Sequence, residues 1–444
     1  MVDIGRENTP ISAASLGARA EDRRDAGRAV ARGSARRFLL LGGPFGPFFR
    51  LLARRLEQRG AEVFRVNLHA ADAVNWGLRR ATRFNHPHNE WPAWLARYIN
   101  LHGISDVVVY GDCQFYNRTA LEVARALQVE RHVFELGYFR PDWVTYEKDG
   151  VNGHSSLPRD PVAILREGAE LAGNVAAHEK IGAITPYHVT HTILDYFSDF
   201  LGRFAFFRYH WPYLHGPLAQ ATGTVLRTLR VQLARGRQKR QIADLRREAR
   251  PYYLCLLQRE GDSQILFHSA FGSVAGFYEA VMQDFARHAP ASTLLVLKNH
   301  PLDPGVQNHG RHILRLARVL GIDSRVRFFD GGSLAELARP ARGVITINST
   351  AGISAVQFGV PTIAMGDAIY NLPGLTHQGG LQSFWRDAER PDMDLFRAFH
   401  RLVLARTQIN GNYYSPRGRR IALNACADRL MQAAPAAAQA QPAR

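Results

Sequence analysis

Arg37 to Leu68 reads RFLLLGGPFGPFFRLLARRLEQRGAEVFRVNL. Its first residues form an apolar run that stops at Gly42-Gly43-Pro44, as a strand stops at a turn. From Pro47 to Gln58 apolar residues recur at helical spacing among arginines, and a second apolar run follows from Ala61 to Leu68. Strand, glycine turn, helix, strand is a βαβ unit, which implies a parallel sheet with its turn near a ligand crevice. Gly42, Gly43 and Gly46 would let backbone amides approach an anion, but their spacing matches neither the dinucleotide-binding nor the P-loop fingerprint. Close helix packing is the simpler use of these glycines.

With 444 residues, 46% hydrophobic and 10% aromatic, the chain can bury one large core or two of ordinary domain size, and two fit its length better. Cys113, Cys255 and Cys426 lack the spacing of a disulfide framework or a zinc site, which fits a reducing cytoplasm. There is no run of about 18 apolar residues, and the first residues mix Arg with Asp and Glu instead of leading into an apolar signal segment. The expectation is a chain neither secreted nor membrane-spanning. A net charge of +17 attracts anionic partners: nucleic acid, anionic lipid or a phosphate-bearing substrate. No helix-turn-helix, zinc-finger or RNA-binding aromatic signature appears, so nucleic acid is not the expected partner. Residues 1–35 and 432–444, rich in Ala, Arg and other weakly packing residues, are expected to be disordered tails.

Asp106 to Tyr110 is a third expected strand, ending at Gly111-Asp112, and His132 to Leu136 a fourth. An Asp at the carboxyl end of a parallel strand points toward the crevice, which makes Asp112 a candidate; a turn carboxylate ahead of a helix is the equal alternative. The fourth strand leads into Phe134 to Pro158, FELGYFRPDWVTYEKDGVNGHSSLP, where Glu135 and Glu147 flank Arg140-Pro141. Gly137, Gly150 and Gly153 argue for a loop there, and loops beside parallel strands are where α/β enzymes keep their chemistry.

Between Pro161 and Arg250 the pattern turns helical. Phe197, Phe200, Phe204, Phe206, Phe207, Tyr209 and Trp211 crowd around Arg203 and Arg208, a composition suited to a lipid headgroup boundary or to a helical core. The basic run that follows, from Arg227 to Arg250, suits either a solvated helix face or an anionic phospholipid surface. A second α/β half opens with YYLCLLQ at Tyr252 and continues QREGDSQILFHS. The strand Thr293 to Lys298 ends in Asn299-His300-Pro301, which sets an imidazole at the lip of the crevice. Gly343 to Asn348, GVITIN, precedes Ser349-Thr350-Ala351-Gly352, an arrangement that presents amides and hydroxyls to an anion, or that simply caps a helix.

The stretch Phe134 to Pro158, with its RPDW, Glu147, GVN and SLP, resembles the signature of the capsule polysaccharide biosynthesis family of Gram-negative bacteria, the KpsS/LipB-type β-Kdo transferases. Gln258, Asp262, Gln264 and Ser269 match that pattern too, as do Gly359-Val360-Pro361, AIYNLPGLTHQGGLQSFW from Ala368 and TQINGNYY from Thr407. The pair His300-Pro301 followed by Ser349-Thr350 resembles the CMP-sugar-binding elements of sialyltransferase-like and Kdo-transferase GT-B enzymes. Gln114 and Asn117 depart from the pattern, standing where the family carries Arg and His, and Leu136 stands where relatives often carry an acid.

The resemblance, together with the strand pattern, implies an α/β, GT-B-like fold. Two Rossmann-like, doubly wound domains would face a cleft: residues 36–160 for acceptor and catalysis, and 251–431 for a CMP-sugar, with 161–250 as a helical insert between them. It implies a retaining β-Kdo transfer from CMP-Kdo to a (lyso)phosphatidylglycerol-type lipid, on the cytoplasmic face of the inner membrane. Implied at the donor are His300, Pro301, Ser349 and Thr350, with Asn348 and Gln258. Glu135 is the first candidate nucleophile, with Glu147 and Asp112 as acid/base or structural alternatives. Arg140, Arg203, Arg208 and Trp211 are candidates for the acceptor or lipid. No DxD-type motif appears and CMP carries one phosphate, so no metal or cofactor is expected. A second Kdo transferase and the capsule export complex are further implied partners. Two alternatives stand beside this reading: a sialyl-type CMP-sugar transferase and a non-catalytic assembly or export factor. The presence of Glu135, Glu147, His300, Ser349 and Thr350 together favours an enzyme.

Overall fold

The computed structural model describes residues 35–171, 178–182, 184–212, 215–261 and 263–432. All but the innermost residue of each expected tail lies outside this set, as do Asp262 and the side chain of Gln264.

The first sheet is built from β1 (Arg37–Leu41), β2 (Glu62–Asn67), β3 (Thr82–Arg83), β4 (Asp106–Tyr110), β5 (Glu130–Leu136) and β6 (Trp143–Lys148). Its parallel part runs in the order β3-β2-β1-β4-β5. The second sheet, β7 (Tyr252–Leu256), β8 (Leu294–Lys298), β9 (Val326–Phe329), β10 (Gly343–Thr346) and β11 (Thr362–Ala364), is parallel throughout and repeats that order as β9-β8-β7-β10-β11. Continuous apolar strands such as Phe38-Leu39-Leu40-Leu41 and Tyr252 to Leu256 are buried on both faces, as parallel sheets require. Separate cores lie on the two sides of each sheet. Among the described residues, four helices, Pro161–Glu170, Thr185–Gly202, Pro217–Leu233 and Arg235–Arg247, occupy the segment between the sheets, where helices are expected. Two Rossmann-like units facing a cleft, with a helical segment joining them, make a GT-B-like architecture.

The structure differs from expectation in two places. Residues 134–158 are not one loop: β5 and β6 form an antiparallel pair in which Glu135 faces Thr145 and Val133 faces Glu147. The glycines border this hairpin instead of dissolving it. Gly137 lies against the Trp143 carbonyl, where a Cβ would stand 2.1 Å away. The chain's last strand, β12 (Gln408–Asn410), leaves the second unit and pairs antiparallel with β6. Helix Pro416–Gln432 follows it and buries Leu423, Cys426 and Leu430 in the core that holds Phe48, Leu52 and Leu56 of helix Phe48–Glu57. A second domain running to residue 431 therefore overruns: from β12 onward the chain covers a face of the first sheet that would otherwise stay wet. Truncating Leu430 should loosen this first unit. Leu430→Ala is expected to cost about 2–5 kcal/mol in chemical denaturation, the range for an emptied leucine site in a core.

Candidate functional site

In each sheet the winding reverses at its first strand, between β1 and β4 in one and between β7 and β10 in the other. Ligands of open α/β sheets bind beyond the carboxyl ends at such points. Here both points open onto one cleft of about 300 Å³, reached by Gly42 after β1, Gly111 after β4, Gln258 after β7 and Asn348 after β10. Gln258 and Asn348 exchange hydrogen bonds across the second reversal: Gln258 Nε2 donates to Asn348 Oδ1 (2.9 Å), and the Asn348 amide donates to Gln258 Oε1 (3.2 Å).

The wall from the second unit gathers hydrogen-bond donors and arginines. Ser349 caps helix Thr350–Gln357, its Oγ accepting from the Ala351 amide (3.2 Å), so the start of that helix opens on the cleft. Burial, with the cations Arg140, Lys298 and Arg259 nearby, pushes the His300 imidazole down to about 3, and the ring is neutral. Its Nδ1 accepts from the Leu302 amide (3.1 Å), which leaves the proton on Nε2 as a donor. Arg140 and Arg259 line the same space. Arg140 Nε donates to the Gly137 carbonyl (3.2 Å), and Arg140 makes no ion pair among the described residues. Pro301 stands behind this wall with its carbonyl bound by Arg227 (3.0 Å).

Across the cleft stand carboxylates. Glu135, at the carboxyl end of β5, lines the cleft; its Oε1 accepts from the Leu136 amide (2.8 Å). Helix Thr185–Gly202 turns a polar stripe of His188, Thr192, Asp195 and Asp199 inward. Asp195 Oδ2 accepts from Asn75 Nδ2 (2.9 Å) and from the Gly46 amide (3.3 Å). Burial pushes Asp195 up to about 7 against the pull of Asn75 and His69. Asp199 accepts from the Ala71 amide (2.7 Å) and bonds His69 Nδ1 (2.9 Å). Burial works to lower His69, but Asp72 and Asp199 outweigh it and hold the ring at about 9, so it is a cation at neutral pH. Sequence pattern does not single out His69, Asp195, Asp199 or Arg259. The available signal is the i, i+4, i+7, i+11 spacing of His188, Thr192, Asp195 and Asp199, hidden among aromatics.

Two other candidate acids sit elsewhere. Asp112 is buried and holds the Val151 amide and His154 Nδ1, both at 3.0 Å, which keeps its carboxyl low in spite of burial. Asp112, Cys113 and His268 are the one group among the described residues whose side-chain atoms gather within 4.8 Å as metal ligands would. Its members are tied to one another, Cys113 Sγ lying 3.0 Å from His268 Nε2 and donating to Asp112 Oδ1 (3.1 Å). Glu147 shares a sheet face with Glu135 but lies further from the strand end, where Tyr138 Oη (2.8 Å) and Ser155 Oγ donate to it. Trp211 lines the cleft, Arg203 lies beside it against Phe200 and Phe204, and Arg208 lies over Phe207. Arg227, from the basic run, is buried on the carbonyls of His300, Pro301 and Asp303, so this arginine is a staple and not part of a lipid face.

Burial pushes Glu147 up to about 7, against its hydrogen bonds from Ser155 and Tyr138. A carboxyl raised on folding stabilises fully below its unfolded value, and that contribution is lost as pH rises through the folded value. Wild-type Tm should therefore fall between about pH 5 and about pH 8, and Glu147→Gln should flatten that fall in thermal melts across the range.

The family described as "Capsule polysaccharide biosynthesis protein" matches residues 105–414 of this chain. The chain is 35% identical over 383 residues to the capsule polysaccharide export protein KpsS of Escherichia coli, covering 86% of this chain and 97% of that protein. It is 35% identical over 394 residues to the capsule polysaccharide modification protein LipB of Neisseria meningitidis serogroup A, covering 86% and 92%. Among solved structures, a Thermosulfurimonas dismutans KpsC titled a beta Kdo 2,7 transferase aligns with 90% of this chain and 99% of its own, at 14% identity and a TM-score of 0.42. By the span of the family match and by the two relatives, the chain belongs to the capsule polysaccharide biosynthesis protein family.

Proposed function

We propose that this protein is a retaining β-Kdo glycosyltransferase that moves Kdo from CMP-Kdo to a (lyso)phosphatidylglycerol-type lipid, within capsule linker synthesis. The observation that carries the reading is the pairing within one cleft of an anion-binding wall and a carboxylate wall. The CMP phosphate would lie against the start of helix Thr350–Gln357, with the His300 Nε2 proton, Arg140 and Arg259 meeting the charge that develops as it leaves. Gln258 and Asn348 would hold the two loops of this wall in register. Glu135 would attack the anomeric carbon as the carbon–oxygen bond to phosphate breaks and CMP departs with the electron pair. The acceptor hydroxyl would then displace Glu135, giving a second inversion and net retention. Asp195, held near 7, suits the acceptor's proton at this step. The reading calls on no metal, since the single CMP phosphate meets its charge in these donors.

No helix among the described residues is long and apolar enough to cross a membrane. We place the protein on the cytoplasmic face of the inner membrane, beside the capsule export machinery and a second Kdo transferase.

The test couples in situ synthesis of CMP-Kdo to a fluorescent lysophosphatidylglycerol acceptor, reading CMP release and lipid mass. Wild type should yield lipid heavier by one Kdo. Loss of one donor to the developing charge in His300→Ala should lower turnover by about 10²–10³-fold. Glu135→Ala should yield no product. Product persisting in Glu135→Ala would reassign the nucleophile, and turnover with a sialic-acid donor alone would move the protein to the sialyl-type reading. A folded wild type inactive with every donor would instead support an assembly factor.

A further inference from the structure

Helix Thr185–Gly202 has two unlike faces. While His188, Thr192, Asp195 and Asp199 turn inward, Leu194 (54% exposed), Phe197 and Leu201 (61%) form an outward stripe at helical spacing, and Phe204 (77%) continues it. Helix Pro217–Leu233 packs alongside and carries a second outward stripe of Leu218, Leu226, Leu229 and Leu233 (88%). Scattered exposed leucines need no explanation, but a stripe of them on each of two helices that pack together is the kind of apolar exposure that marks an interaction surface.

The charge around this face selects its occupant. Helix Pro217–Leu233 contains no Asp or Glu, and the acids of helix Thr185–Gly202, Asp195 and Asp199, are both buried. Arg203 stacks on Phe200 and Phe204 at the edge, Arg208 lies over Phe207, and exposed Arg230, Arg235 and Arg237 follow. Apolar stripes bordered by arginines, with no carboxylate exposed among them, suit the interface of an anionic bilayer, where aromatic rings sit at headgroup depth and cations meet phosphate. A second copy would bring the same cationic face against itself, on a chain already at +17.

This face also opens inward. A cavity of about 410 Å³, lined by Phe200, Phe206, Phe207 and Leu218 with Arg203, shares His69, Asp199, Tyr209 and Trp211 with the cleft. We propose that helices Thr185–Gly202 and Pro217–Leu233 dock the protein on an anionic phospholipid bilayer, and that this cavity passes the headgroup of a bilayer lipid into the cleft. The cavity's role rests on the lipid-acceptor reading above; the docking face does not.

The test uses the full chain and the triple variant Leu201→Ser/Phe204→Ser/Leu229→Ser, which changes only exposed side chains; matching thermal melts verify its fold. Sedimentation without any donor, with vesicles of phosphatidylcholine alone or mixed with phosphatidylglycerol, reads docking by itself. Wild type should favour the mixed vesicles, and the variant should bind them about tenfold or more weakly, as expected from apolar area no longer buried. Turnover of vesicle-embedded lysophosphatidylglycerol should fall with it, while turnover of a short-chain, water-soluble analogue stays at the wild-type level. Wild type that ignores mixed vesicles, or a variant that binds as wild type does, overturns the docking face. A wild-type dimer in light scattering that the variant dissolves overturns it in favour of a second copy. Docking with no transfer to any lipid would keep the face and remove the cavity's role together with the lipid-acceptor reading.

Discussion

The reversal of winding in each parallel sheet is the constraint on which the rest of the molecule depends. Where neighbouring connections leave in opposite directions, no helix closes the space beyond the strand ends, and backbone groups there need partners. Amide side chains supply several. Asn117 Nδ2 donates to the carbonyls of Tyr110 (2.7 Å) and Gly111 (3.2 Å), and Gln258 with Asn348 does comparable work in the other unit. Gly42, at φ +46° and with Asn117 Oδ1 3.2 Å from where a Cβ would stand, is a position where a side chain would be strained and crowded. The crevice is thus a product of topology, held open by amides and small residues.

Electrostatics divides that crevice. Burial and nearby arginines keep His188 and His300 both near 3, so on these rings the cleft offers neutral donors and acceptors instead of fixed positive charge. Positive charge comes from arginines, whose protonation does not change in the working range. Across the cleft from His300, His69 stays cationic among Asp72 and Asp199 while Asp195 sits at the edge of ionisation. One wall can therefore hold an anion at constant charge while the other exchanges a proton. Both depend on helix Thr185–Gly202, whose inner residues complete the cleft and whose outer residues face away from it.

Much of this was legible because local signals and tertiary use agree. The run Arg37–Leu41, its glycine turn and the amphipathic helix after it need only their own neighbours to be read, and the strand ends at His300 and Ser349 follow from the same alternation. Other features rest on distant partners. Gln408–Asn410 is three residues with no period of its own, and only the uncovered edge at Trp143–Lys148 makes it a strand. Arg227 looks like any member of a basic run until three carbonyls and Asp330 surround it. Cys113 and His268 stand 155 residues apart, so no spacing rule could pair them. Sequence sets Glu135 at an expected strand end and Glu147 in an expected loop; the hairpin puts Glu147 on a strand as well, paired with Val133 and so two residues further from the strand end than Glu135.

The return of Gln408–Asn410 and helix Pro416–Gln432 to the first sheet has a consequence for how the chain is made. The second unit, continuous from Tyr252 to Thr407, is an insertion within the first, whose segments lie on either side of it in the chain. Domains generally form in the order in which the ribosome releases them. Here the order is inverted: every strand of the second sheet has emerged before Gln408, while the first sheet must wait with its Phe48, Leu52 and Leu56 core unroofed until helix Pro416–Gln432 is synthesised. The unit translated first is the one completed last.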